Sequence, residues 1–493
     1  MTITASSSQQ GATIFGAGNA VLQRKSRQQY IDGHWVDGER DEFIDVIDPS
    51  TEQAIGQVPS GTANEVDRAA KAARTAFASW SQTSREERLA YLQAIIEQMN
   101  ARSQEIADAV SLEMGSPAEI ALGVQHGLPL TTFQVAAELL PDYEFEYELN
   151  GATIVREPIG VVAAITPWNF PLHQVALKVA PAIATGCTVV LKPSEVAPLS
   201  TVIFVDILDS VGLPAGVVNL VQGLGPEVGE AMASHPEVDM VSFTGSSRAG
   251  QRVAELAAKT VKRVALELGG KSANIITADA DLEAAVAAGV GNCYFNAGQT
   301  CNALTRMLVP RDRLAEVEEI AKRAAEEFKV GSPHEEGATL GPIVSDRQRE
   351  NVRRLISAGV EEGAKLLTGG VEAPESHATG YFVKPTVFSE VTPDMTIARE
   401  EIFGPVLSIL PYDSEEEAVA IANDSPYGLG GGVWAGTEEH AREIAKQMRT
   451  GQVYINGSGL NFHAPFGGYK QSGNGREWGP FGFEEYLEIK AVI

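Results

Sequence analysis

Three of the 493 residues are cysteines, and their settings differ. Cys301 lies in FNAGQTCNA, a glycine-containing stretch that follows a helical segment, whereas Cys187 and Cys293 lie among apolar or small residues. A thiol on a turn can meet an electrophile; a thiol in a core cannot. Glu267 ends the run RVALELGGKS, with apolar residues before it and glycines after it. That pattern aims a carboxylate into a cleft beside closely approaching backbone, where burial raises its pKa and fits it for general-base work. Each residue alone also has a plainer reading, an inert thiol and a strand-end carboxylate. Gly245-Ser246-x-x-x-Gly250 follows VDMVSFT and opens a helix, so it reads either as a phosphate site at a helix N-terminus or as a tight turn. Gly223-x-Gly225-x-x-x-Gly229 resembles a dinucleotide turn with one residue too many before its third glycine. The eight histidines form no HxxxH or HExxH pair and no CxxC occurs, so no dedicated metal site is expected.

Such residues need a scaffold, and the chain shows one. GVVAAITP, TVVLKPS, VVNLVQG, VDMVSFTG and RVALELGG are short β-branched runs separated by helical segments near 171–185, 198–211, 226–235 and 246–260. Alternation of this kind predicts a parallel sheet covered by helices on both faces. Ligands of such sheets bind beyond the carboxyl ends of the strands, where Thr166 to Asn169, Lys192 to Glu195, Gly223 to Gly225, Thr244 to Ser246 and Glu267 to Gly270 fall. A second α/β series follows, from SANIITAD through RMLVP, KPTVFSEV, VLSILPYD and GGVWAG to GQVYING. The chain before Ile159 reads as short strands, with Asp-Gly turn signals in QQYIDGHWVDG, and then as helices over 63–82 and 84–113 continuing through AEIALGVQHGLPLTTFQVAAELL.

Composition excludes several classes. With 38 basic and 65 acidic residues the formal charge is −27, which argues against a nucleic-acid or anionic-membrane surface. No stretch supplies the ~18 apolar residues of a spanning helix. The start is polar and Gly/Ser-rich, unlike a secretory signal, and is expected to form a flexible arm over residues 1–26. Few cysteines fit a reducing compartment, so a cytoplasmic location is expected.

In combination, TPWNFP at 166–171, KPSE at 192–195, FTGS at 243–246, ELGGKS at 267–272, GQTC at 298–301, EIFGP at 401–405 and PFGGYKQSGNGRE at 465–477 resemble the aldehyde dehydrogenase superfamily, over nearly the whole chain from about Gln28. The resemblance implies an α/β protein with a Rossmann-like NAD-binding domain over 27–142 and 161–268, a catalytic domain over 269–478, and a small β oligomerisation element over 143–160 and 479–493. It implies that Cys301 is the nucleophile, giving a thiohemiacetal and then a thioester, and that Glu267 activates the hydrolytic water. It places Asn169 in the oxyanion site and Lys178 and Glu477 in a proton relay. Thr166, Pro167, Trp168, Lys192, Ser194, Glu195, Gly225, Gly229, Gly245, Ser246, Leu268, Glu401 and Phe403 match cofactor-binding positions. Glu195 favours NAD over NADP, because a carboxylate accepts from ribose hydroxyls but repels a 2′-phosphate.

The same resemblance lines the substrate tunnel with Phe170, Gln174, Leu177, Thr300, Asn302, Phe462 and Phe466. No arginine stands among them, so the expected substrate is an uncharged, medium-sized aliphatic or aromatic aldehyde. The hairpin DYEFEYELNGATIVREP and the C-terminal EEYLEIKAV resemble the oligomerisation element, implying a homodimer or homotetramer. Three alternatives stay open: an acylating enzyme that passes the thioester to coenzyme A, a thiol esterase without cofactor, and a binding protein without catalysis.

Overall fold

The computed structural model describes residues 20–493. Among them one sheet has eight strands, in the spatial order Gly473–Asn474, Arg263–Glu267, Met240–Thr244, Val161–Ile165, Thr188–Lys192, Val218–Leu220, Gln28–Ile31 and His34–Asp37. The five central strands are parallel and the flanking ones antiparallel. Val161–Ile165, Thr188–Lys192 and Met240–Thr244 are buried at every position, as strands covered on both faces must be. The chain runs outward from Val161–Ile165 through two strands, then returns to its other side with Met240–Thr244. That reversal is the topological switch point, and it opens a crevice at the carboxyl ends of these two strands.

A second sheet follows the order Lys365–Thr368, Thr386–Ser389, Val406–Tyr412, Arg306–Pro310, Ala273–Ile276, Gly430–Trp434 and Gln452–Ile455, with only the first strand antiparallel. It has its own core, drawn from residues between Ala273 and Met448. Leu487–Val492, Ala152–Pro158 and Glu146–Leu149 form a third, antiparallel sheet. Asn150 (φ 50°) and Gly151 (φ 88°) turn its hairpin, as an Asn-Gly pair does in a two-residue loop.

Three differences from the sequence reading matter. Residues 20–26, expected within a flexible arm, form the helix Ala20–Ser26, with Leu22 buried and Lys25 paired to Asp206 and Asp209; residues 1–19 of that arm lie outside the described residues. Gly473–Asn474, placed by sequence in the catalytic segment, pairs with Leu266 and Glu267 on the first sheet. The helix expected over 84–113 breaks at Arg102 into Arg85–Ala101 and Ser103–Met114, and the next helical segment passes from Ala118–Ile120 through a π-helical turn, Ala121–His126, into Gly127–Leu139. Among the described residues no helix is long and apolar enough to cross a membrane.

Candidate active site

Cys301 follows a loop that few sequences can adopt. Asn296 (φ 54°), Ala297 (φ 56°) and Gly298 (φ 71°) are left-handed in succession, and non-glycine residues held there carry strain. A Cβ on Gly298 would lie 2.2 Å from the Gly404 carbonyl, so the glycine of GQTC lets this loop touch the EIFGP segment. Gly270 is similarly required, since its Cβ would meet the Cys301 carbonyl oxygen at 2.4 Å.

Cys301 is half-buried, and among the described residues it alone borders both of the cavities that meet here. One cavity, of about 370 Å³, is lined by Phe170, Gln174, Leu177, Thr300, Asn302 and Phe466, together with His173, Phe295, Tyr454 and Trp478, which the sequence reading missed. Its lining contains no lysine, arginine, aspartate or glutamate. Burial drives the His173 imidazole down to about 3, so this ring is neutral near pH 7. Phe462 departs from expectation: it lines a small adjoining cavity with Leu177 and Trp478, its ring 4.9 Å from the Trp478 ring. Trp478 stands between Phe462 and this tunnel, 4.8 Å from Phe466.

The other cavity, of about 280 Å³, lies at the switch point and is lined by Pro167, Trp168, Asn169, Thr244, Gly245, Ser246, Glu267, Leu268, Glu401 and Phe403, among others. Ser246, on this lining, caps the helix Ser247–Ala257 by accepting from the Ala249 N–H, so the helix N-terminus lies at this crevice. Trp168 and Phe403 form an edge-to-face wall 5.3 Å apart. Glu401 accepts from the Gly270 N–H at 2.9 Å, and burial raises its carboxyl to about 7. Thr166, Lys192, Ser194, Glu195, Gly225 and Gly229 do not line this cavity. The Thr166 N–H donates to the Lys192 carbonyl (3.0 Å), Lys192 Nζ reaches Glu195 (3.3 Å), and Gly229 faces the Lys192 side chain. Ser194 Oγ accepts from the Val196 N–H and turns the chain there. A crevice with a capped helix terminus, an aromatic wall and a Lys–Glu pair on the next strand fits a dinucleotide laid across the switch point.

Between the two cavities lies a charged cluster. Glu267 is buried, and neither carboxyl oxygen has a partner among the described residues. Burial, compounded by the Glu477 charge and opposed by Lys178 and Arg476, pushes this carboxyl well above the usual range. Lys178, fully buried on the helix Pro171–Thr185, donates to Glu477 (2.8 Å) and Thr244 (2.7 Å). Burial also raises the Cys301 thiol, with the Glu401, Glu267 and Glu477 charges acting the same way. Asn169 donates one amide hydrogen to the Gln299 carbonyl (3.0 Å), which leaves the second free. The residues matched to catalysis therefore converge, although they come from five separate segments of the chain.

A doubly wound sheet with a crevice at its switch point, beside a thiol shared by two cavities, is the architecture of a nucleotide-dependent enzyme. The aldehyde dehydrogenase family model matches residues 35–492, and the chain belongs to that family. It is 55% identical over 471 residues to 3-succinoylsemialdehyde-pyridine dehydrogenase of a Pseudomonas species, covering 95% of this chain and 99% of the relative. Aldehyde dehydrogenase C of Pseudomonas syringae, solved as a cysteine-to-alanine mutant with NAD+ and octanal, superposes with a TM-score of 0.94 at 53% identity over 95% of this chain and 97% of that one. Betaine aldehyde dehydrogenase of Staphylococcus aureus, solved with NAD+, gives 0.93 at 38% identity over 96% and 95% of the two chains.

Proposed function

We propose that this enzyme oxidises an uncharged, medium-sized aliphatic or aromatic aldehyde to the carboxylic acid, with NAD as hydride acceptor. The observation that carries the reading is the position of Cys301 at the junction of a charge-free tunnel and a switch-point crevice. The Cys301 thiolate adds to the aldehyde carbon, and the oxyanion of the resulting thiohemiacetal accepts from the free Asn169 amide hydrogen and the Cys301 N–H. When bound, NAD supplies the hydride acceptor that turns this adduct into a thioester. Glu267 then removes a proton from water as it attacks the thioester carbonyl, and the acid is released with the Cys301 thiolate as leaving group. Lys178 and Glu477, joined to each other and to Thr244, carry that proton away from Glu267. Two structures of relatives hold NAD+, and Glu195 beside Lys192 favours ribose hydroxyls over a 2′-phosphate. Octanal, bound by the Pseudomonas syringae enzyme, is itself an uncharged aldehyde.

In this reading residues 27–142 and 161–268 form the NAD-binding domain, joined by the strand Gly473–Asn474, and 269–478 supply the catalytic domain. NADH formation over an aldehyde panel, with NAD and with NADP, tests the proposal. Turnover with neutral aldehydes and NAD is expected, lost in Cys301→Ala while nucleotide still raises Tm. A rate that depends on added coenzyme A, or succinic semialdehyde turned over as efficiently as a neutral aldehyde of similar length, would overturn it.

A further inference from the structure

Asn169 lies in the link between the strand Val161–Ile165 and the helix Pro171–Thr185, where no ladder or helical hydrogen bond fixes the main chain. Two side chains hold its backbone carbonyl instead: Asn296 Nδ2 donates to it at 2.9 Å and Gln125 Nε2 at 3.2 Å. Gln125 Nε2 also donates to Asn296 Oδ1 at 3.2 Å, and Asn296 Nδ2 to the Gln299 carbonyl at 3.3 Å. All four groups are buried, and Gln125 is completely so. Gln125 belongs to the π-helical turn Ala121–His126, whose extra residue per turn shifts the direction of every side chain on it relative to a regular helix. The turn is anchored at its end by His126, whose Nε2 meets the Met99 carbonyl at 3.1 Å. Neither Gln125 nor this turn borders the cavity that Asn169 lines.

We propose that Gln125 is a positioning residue for the reaction: from the π-helical turn it fixes the main chain of Asn169, so that the Asn169 amide meets the oxyanion formed at Cys301. The proposal rests on the roles given above to Asn169 and Cys301. Oxyanion donors act only when held at hydrogen-bond distance from where charge develops, and a displacement of about 1 Å costs about 100-fold in rate. Asn296 still holds the carbonyl when Gln125 is replaced, so the expected loss is smaller.

The test is a double-mutant cycle read in single-turnover NADH formation. Gln125→Met keeps the length and apolar bulk of the side chain and removes both N–H donors. It is expected to slow hydride transfer about 10-fold, with the aldehyde KM and the nucleotide-induced rise in Tm unchanged. In an Asn169→Ala background the same change is expected to cost nothing further, because its effect passes through the Asn169 amide. A merely structural role would instead lower the rate by the same factor in both backgrounds, and that result would overturn the proposal, as would a wild-type rate in Gln125→Met. Asn169→Ala as fast as wild type would overturn the oxyanion role of Asn169 itself, and the proposal with it. Should Gln125→Met fail to fold, Gln125→Leu, apolar and lacking both donors, is read against the same outcomes.

Discussion

At the scale of single residues, Glu267 states its role most sharply. A buried carboxyl with two unpartnered oxygens is an expensive arrangement, and it persists where water or substrate completes it. Because burial holds its pKa well above the usual carboxylate value, Glu267 accepts a proton from water only once the pH exceeds that raised value. The hydrolytic rate is therefore expected to keep rising with pH beyond the ordinary carboxylate range, and the raised Cys301 thiol adds a dependence of the same sign on the acylation step. Glu267→Gln separates the two. It is expected to form about one NADH per site in a burst and then stall, with steady turnover down ~10²–10⁴-fold. Stopped-flow absorbance distinguishes this from the alternative in which burst and turnover fall together, which would make Glu267 a base for the thiol alone. Cys301 and Glu267 stand out as candidates by their neighbours, a glycine turn before one and a strand followed by two glycines for the other, but their proposed roles come from the family resemblance of GQTC and ELGGKS. Gln125 is not legible, because its partners lie at 169 and 296 and its direction depends on a π-helical turn that no periodicity announces.

Elements tell the same story at larger scale. The parallel strands are readable from their β-branched runs because both faces are buried. Lys365–Thr368 is missed because it is a four-residue edge strand, exposed or half-exposed throughout, whose sequence KLLT shows no alternation, and Gly473–Asn474 because two residues carry no pattern. Long-range caps are likewise hidden. The helix Leu199–Ser210 begins at Pro198 without a side-chain cap of its own, and Glu113, eighty-odd residues earlier in the chain, accepts from the Leu199 N–H (2.5 Å) and the Ser200 N–H (3.0 Å). Glu113 is fully buried, and burial outweighs those two hydrogen bonds to raise its carboxyl to about 7. A carboxyl raised on folding binds its proton more tightly in the folded than in the unfolded chain. Stability from this group is thus fully present below the unfolded value near 4.5, falls as pH rises, and is flat above about 7. Glu113→Gln cannot titrate, so it is expected to flatten that part of the profile. Urea midpoints at about pH 5 and about pH 8 check this, and an identical pH difference in wild type and variant would contradict it.

For the whole molecule the remaining question is what covers the third sheet. Leu487–Val492 pairs with Ala152–Pro158 on one side, held by Lys490 to Glu157 (2.6 Å) and by Arg263 to Glu488 (3.0 Å). Its other edge has no strand partner among the described residues. On this strand Ile489 is 70% exposed and Val492 53%. Exposed apolar residues on an unpaired edge invite pairing with another chain, and a stable protein either blunts such an edge or covers it. Among the described residues this strand carries no proline and no bulge interrupts its pairing, and we propose a second copy as its cover, in a homodimer or homotetramer. The charge of −27 on each chain opposes that association at long range. Salt screens this repulsion while leaving apolar burial intact, so the oligomer is expected to strengthen between low and moderate ionic strength. Ile489→Lys places an extra cation on the contact and is expected to shift the population toward monomer without changing the NAD-induced rise in Tm. Light scattering at two salt concentrations reads both effects. A monomeric mass for the wild type, or an oligomer indifferent to Ile489→Lys, would place the interface elsewhere or remove it.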